Sequence, residues 1–257
     1  MTKNASLLGL CAFMALVSTG FAGPSGDYPF NFGLPGKPVW DITGNYVLSP
    51  SVGGSTTVEI PVTITQDSQG MLTGSLYSAV KINGTAATTG TCTLKGKVTN
   101  SGGVARINAT IKLSGSGLIQ GLQTTYSLSA SYKLEINPSG TVVGSATGSA
   151  KATGIGSGPV TDDIAAALPT TEASWTLQMH LEPAGNKLGG TSSVSLASGR
   201  TLNLGVKGTY SSKNGNSVIS LSGSDASSKG TTLKVMGTGD ALTGLTVKGK
   251  ILGQVVQ

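Results

Sequence analysis

Apolar residues recur at every second position along most of the chain. Val58, Ile60, Val62 and Ile64 alternate with polar neighbours, and so do Leu72, Gly74, Leu76, Val80 and Ile82. Cys92, Leu94, Gly96 and Val98 follow, then Ile107, Ala109, Ile111 and Leu113. The longest run is Tyr126, Leu128, Ala130, Tyr132, Leu134 and Ile136. Past Trp175, Leu177, Met179 and Leu181 the rhythm resumes through Leu202, Leu204, Val206, Tyr210, Ile219, Leu221, Leu233, Val235, Leu245, Val247 and Ile251. A period of two puts each set on one face of a strand. Turn residues separate the runs, among them Asn137-Pro138-Ser139-Gly140 and Lys213-Asn214-Gly215-Asn216. Such punctuation predicts successive antiparallel hairpins. The expected fold is an all-β antiparallel meander of roughly 12–14 strands.

Inward positions are often glycine: Gly74, Gly96, Gly144, Gly148, Gly208 and Gly249. A mid-strand glycine weakens a flat ladder but permits sharp coiling and close approach of a neighbour. The glycines therefore favour a strongly curved sheet or an up-and-down barrel. Leu94-Lys-Gly-Lys-Val98, Val206-Lys-Gly-Thr-Tyr210 and Val247-Lys-Gly-Lys-Ile251 share one pattern, and each half of the chain opens on a tryptophan strand. These repeats are compatible with duplicated halves, 39–150 and 174–257. Between them 151–173 reads as a linker, with one or two helical turns over Thr161–Leu168 capped by Thr161 or Asp162 and stopped by Pro169. Ahead of the first half, Gly23–Pro38 holds four prolines with Tyr28, Phe30 and Phe32. Its proline density predicts an extended arm outside any ladder.

Composition adds the compartment. Lys3 precedes the apolar run Ala5–Phe21, and Gly20 and Ala22 are small residues placed for cleavage after Ala22. This is the pattern of a secretory signal over 1–22, so a secreted or cell-envelope location is expected, with no transmembrane helix after processing. Lys3 is one of the 17 basic residues, so the processed chain keeps 16 against 11 acids, a mild net +5. Cys92 is then the only cysteine, expected as a buried thiol or an intermolecular partner.

Candidate chemistry is sparse. The lone histidine, His180, lies out of phase with Trp175, Leu177, Met179 and Leu181 and should face solvent. The acids are scattered, Asp162-Asp163 being the only adjacent pair. No catalytic residue, metal site or cofactor is expected. Lys95, Lys97, Lys207, Lys248 and Lys250 lie opposite the apolar face and form a candidate anion-facing stripe. Without interleaved aromatics it does not suit nucleic acid, and an envelope polysaccharide or another surface protein is the expected partner. Tyr126, Tyr132, Leu134 and Tyr210 are the candidate lining of a ligand cavity.

ITGNY (42–46), ITQDSQGMLTGSLYSAV (64–80) and GGVARIN (102–108) resemble hairpins of the avidin/streptavidin family. The resemblance implies an up-and-down β-barrel. It does not imply biotin binding. The chain reads VLSPSVGGS (47–55) where the family carries Asn-x-Leu-x-Ser after its first strand. Ser78 matches a family serine, but Leu76 stands in place of a needed tyrosine, and Trp40 and Trp175 are the only tryptophans.

The first functional expectation is an exported, non-enzymatic β-protein acting through its surface as an envelope, matrix or adhesive component. A small-ligand-binding barrel is the alternative. An outer-membrane barrel comes third, opposed by few aromatics for interfacial girdles and by a Thr-, Ser- and Lys-bearing outward face.

Overall fold

A computed structural model describes residues 26–32, 38–87, 89–101, 104–119, 121–168, 174–213, 216–224, 230–238 and 246–256. The expected signal sequence (1–22) and part of the expected arm and linker lie outside these residues.

The described chain is all-β. β1 (Gly26–Phe32) comes first. The next eleven strands are β2 (Gly44–Leu48), β3 (Ser51–Val52), β4 (Thr56–Gln66), β5 (Met71–Leu76), β6 (Lys81–Ile82), β7 (Thr85–Ala86), β8 (Thr89–Ser101), β9 (Val104–Ile119), β10 (Leu122–Ile136), β11 (Thr141–Ala152) and β12 (Gly156–Ala167). They make one sheet. The last seven are β13 (Trp175–Ala184), β14 (Lys187–Leu196), β15 (Thr201–Lys213), β16 (Asn216–Ser224), β17 (Thr232–Thr238), β18 (Thr246–Ile251) and β19 (Gln254–Val256). With β1 they make a second sheet. The strand number exceeds the sequence estimate because two- and three-residue pieces such as β3, β6, β7 and β19 carry no periodicity of their own.

In the first sheet β12, β11, β10, β9, β8, β5 and β4 follow one another, and the short β3 bridges β12 back to β4, closing a ring in part. All pairings are antiparallel. The alternating residues point inward and form one buried cluster, with Ile60, Val62, Val98, Ile111 and Ile136 fully buried. The second sheet runs β1-β13-β14-β15-β16-β17-β18-β19, with no pairing between its two end strands among the described residues. Its apolar face, including Trp175, Leu177, Val194, Leu204, Leu221, Val247 and Val256, forms a separate cluster.

Two expectations are corrected. Thr161–Leu168 is not helical: β12 pairs with β11 from Gly156 through Ala167. The stretch 151–168 is therefore barrel rather than linker. Thr-Asp-Asp-Ile-Ala-Ala-Ala satisfies a helix cap and a period of two equally, and the ladder offered by β11 decides. The arm also joins a ladder, Gly26–Phe32 pairing with Trp175–Leu181 and setting Pro29 opposite Gln178. Among the described residues β1 is the end strand of its sheet, the position where proline is tolerated in a ladder. Pro61, in contrast, lies inside β4. Its carbonyl accepts from Tyr77 N at 3.2 Å, just where the β5 ladder has ended.

β11 explains the curvature. Its inward residues are Val142, Gly144, Ala146, Gly148 and Ala150, nearly all small. A Cβ on Gly148 would fall on the carbonyl oxygen of Ser129, and one on Gly144 would strike Lys133 O. Gly144 also has φ 155°, which L side chains rarely adopt. Side chains from β10 thus reach across β11 toward β12. The sequence repeats play the same part. Gly96 sits where a Cβ would be 2.6 Å from Asn108 O, and Cβ atoms on Gly208 and Gly249 would lie closer still to Ser220 O and Thr232 O.

The two sheets meet at Trp40. Val39 enters the second core and Trp40 the first. Trp40 N donates to Gln254 Oε1 at 3.0 Å, and Gln254 Nε2 donates back to Trp40 O at 2.7 Å. Gln66 Oε1 accepts from Ile42 N at 3.0 Å while its Nε2 donates to Trp40 O at 3.3 Å. Both glutamines are fully buried. They act as ladder partners for an extended segment, satisfying backbone groups that burial would otherwise leave unpaired. Nearby, Asp41 accepts from Ser198 Oγ at 3.0 Å and lies 3.8 Å from Arg200, whose Nη1 donates to Gln66 O at 2.5 Å. The Asp67–Gly70 turn docks against Gly230, Leu252 and Gly253, where added Cβ atoms would strike backbone.

Candidate functional site

Ring closure is incomplete, and the gap makes the site. β3 meets β12 at two pairs only, Val52 with Val160 and Ser51 with Thr161. Pro50 comes next. Its carbonyl accepts from Val58 N at 3.0 Å, but it has no N–H to return the second bond of that pair. Beyond it β2 pairs with β4 alone, from Gly44–Ile64 to Leu48–Ile60. The first half of that strand and the last half of β12 therefore part. Between them opens a cleft of about 360 Å³. Tyr46 and Leu48 form one lip, and Ile164 and Leu168 the other. The floor is Leu94, Ile107, Leu134 and Ile136. This size falls in the ordinary range for small-molecule sites.

A carboxylate projects into this apolar cleft. Val160, Asp162 and Ile164 alternate inward along β12. Tyr132, on β10, is paired with Ala146, which is paired with Asp162. The small alanine lets the phenol pass over β11 and donate to Asp162 Oδ2 at 3.2 Å. Desolvation raises the Asp162 pKa above the usual aspartate value, and Asp163 adds to the rise. The Tyr132 hydrogen bond opposes it by favouring the ionised form. Burial is also the main cause raising the Tyr132 phenol, with the neighbouring Asp162 charge acting in the same direction. The phenol thus stays a hydrogen-bond donor. Asp162 keeps a second oxygen able to accept from whatever occupies the cleft. Tyr46 OH is turned back along its own strand and donates to Ile42 O at 3.0 Å.

The four sequence-predicted cavity residues separate. Tyr132 and Leu134 line this cleft. Tyr126 lines a second opening of about 220 Å³ at the other end of the barrel, with Val52, Val58 and Ile82. The buried layer of Ile111 and Ala130 lies between. Tyr210 belongs to the second sheet and packs against its separate core. Asp162 was missed because an adjacent acid pair ahead of three alanines reads as a helix cap. The usable signal was the alternation of Gly158, Val160, Asp162 and Ile164.

The predicted lysine stripe also divides. Lys95 and Lys97 are exposed on β8 of the barrel, while Lys207, Lys248 and Lys250 are exposed on the second sheet. His180 lies on the exposed face of β13, 3.7 Å from Glu182, away from the cleft. Cys92 is buried on the inward face of β8, and burial pushes its thiol pKa up to about 11. Among the described residues no helix is long and apolar enough to cross a membrane.

In comparison with known proteins, the chain matches no family model, no curated protein and no solved structure.

Proposed function

We propose that the protein is an exported, non-enzymatic binding protein whose barrel holds a small amphiphile with an apolar body and a cationic head. The observation that carries this reading is the Tyr132–Asp162 pair set inside a mostly apolar cleft of about 360 Å³, whose other polar lining residues are Ser49 and Asp163. Among the described residues no cation pairs with this part-desolvated carboxylate, whose hydrogen-bond partner is a neutral phenol, and a ligand ammonium supplies the countercharge. The apolar walls favour an alkyl or aromatic body through burial. The cleft favours ligand binding over a role exercised through the surface alone. The likeness of stretches within 42–108 to avidin-type hairpins implies an up-and-down barrel and no more, and biotin is not proposed. Export rests on the signal-like pattern of residues 1–22. The outward residues Ser127, Ser129, Ser131, Lys133 and Glu135 are all exposed, a polar surface ill suited to lipid.

The test is the thermal midpoint of the chain with octylamine or octanoate, each below its micellar range. Octylamine at a hundredfold over its Kd should stabilise by about 2.7 kcal/mol. Asp162→Asn should remove that shift, and octanoate should produce none. Equal shifts with both ligands, no shift with octylamine, or an unchanged shift in Asp162→Asn would overturn the reading.

A further inference from the structure

We infer that the outer face of β15–β18 is a docking surface for an acidic polysaccharide. The register draws its cations into a row. Lys207 is opposite Ser222, Ser222 is opposite Lys234, and Lys234 is opposite Lys248. Lys250 stands two residues further along the same face. All four lysines are exposed. Strands lie about 4.8 Å apart, so the row crosses four strands with lysines directly facing at its β17–β18 end. Like charges placed directly opposite are destabilising. No carboxylate stands among them on these strands, since β15, β16, β17, β18 and β19 contain no Asp or Glu.

The barrel manages its cations differently. Arg106 donates to Glu135 at 2.8 Å, and Lys81 lies 3.4 Å from Glu59. Lys95 faces Thr73 and Thr110 rather than another lysine. An uncompensated lysine row is thus particular to the second sheet.

The surface is also shaped. Ser222, Ser224 and Thr232 join Lys234 and Lys248 around a concavity of about 310 Å³ floored by Gly223, Leu233 and Gly249. A Cβ on Gly249 would fall on Thr232 O, so its absence lets β17 and β18 lie close beneath the lysines. Ser222 Oγ donates to the Lys207 carbonyl at 3.3 Å, fixing one hydroxyl within the row. Cations spaced along a line and interleaved with hydroxyls complement a chain of sugar carboxylates and hydroxyls. The outward residues of these strands with described exposure are Ser, Thr, Asn, Gly and Lys, with Met236 and, opposite Lys250 on β19, Val255 as the large apolar exceptions. A membrane-surface site would carry aromatic or aliphatic anchors, and a single-stranded nucleic-acid site would carry stacking rings.

The experiment is affinity electrophoresis of the full chain in gels containing polygalacturonate or neutral dextran. Polygalacturonate should retard the protein, dextran should not, and high salt should abolish the effect. The double variant Lys234→Gln/Lys248→Gln should bind about tenfold more weakly, as expected for two lost exposed ion pairs. Lys95→Gln/Lys97→Gln and Asp162→Asn should leave retardation unchanged, which separates this surface from the cleft. The double variant should fold at least as stably as the parent, because it removes a repulsion. Retardation by dextran, no loss in the double variant, or stronger binding to phosphatidylglycerol vesicles or single-stranded DNA than to polygalacturonate would overturn the inference.

Discussion

Gln254→Ala tests how the two sheets are joined. Gln254 is fully buried, and its side chain makes two hydrogen bonds to the backbone of Trp40, 214 residues away. Truncation removes both. Trp40 O keeps Gln66 Nε2 at 3.3 Å, so the carbonyl retains a donor. Trp40 N–H loses its acceptor inside a region closed to water. An orphaned buried donor costs about 1–3 kcal/mol and the second lost bond about 1 kcal/mol more, giving a loss of about 2–4 kcal/mol. For a chain of this size that lowers the thermal midpoint by roughly 5–15 °C. Because the bond links two separate cores, the sheets should also lose common cooperativity. The assay is urea unfolding followed by tryptophan fluorescence, with Trp40 reporting the first core and Trp175 the second. Gln254→Ala should broaden or split the transition, whereas a surface control such as Gln178→Ala should not. A loss below about 0.5 kcal/mol, the usual range of surface substitutions, with one sharp transition would refute the account.

Three further outcomes rest on the same physics. Gly148→Val should cost at least about 3 kcal/mol by forcing β10 and β11 apart. Gly205→Ala, with open space around its Cβ and no left-handed φ, should stabilise by about 0.5 kcal/mol; both are read by urea midpoints. Asp162 should impose a pH dependence of opposite sign to that of an ion-paired aspartate. Its folded pKa is raised, so the unfolded chain releases the proton first as pH climbs. Stability should therefore be highest below the ordinary value near about pH 4 and fall as pH rises through the folded value. Asp162→Asn should lack that fall, and parallel midpoint-against-pH curves for the two proteins would contradict the raised pKa.

The sequence determined the class of fold through local pattern. Tyr126–Ile136 and Val58–Ile64 are alternating runs that admit one backbone conformation, and each is a strand with those residues inward. The inward glycines announced close strand approach, because a missing Cβ can be read from the chain itself. His180 on the exposed face and Cys92 in the core follow from the same parity. Tertiary structure decided what parity leaves open. Thr161–Ala167 fits a helix or a strand locally, and only the exposed edge of β11 chose between them. Gly26–Phe32 found its partner in β13, a pairing across most of the chain that no local signal encodes. Asp162 met Tyr132 because Ala146 lies between them in register, and Lys234 joined Lys207 and Lys248 for the same reason. Alternation states which face a side chain takes. Which residues stand beside it on that face depends on strand order and register, and these are set by the closing of the whole sheet.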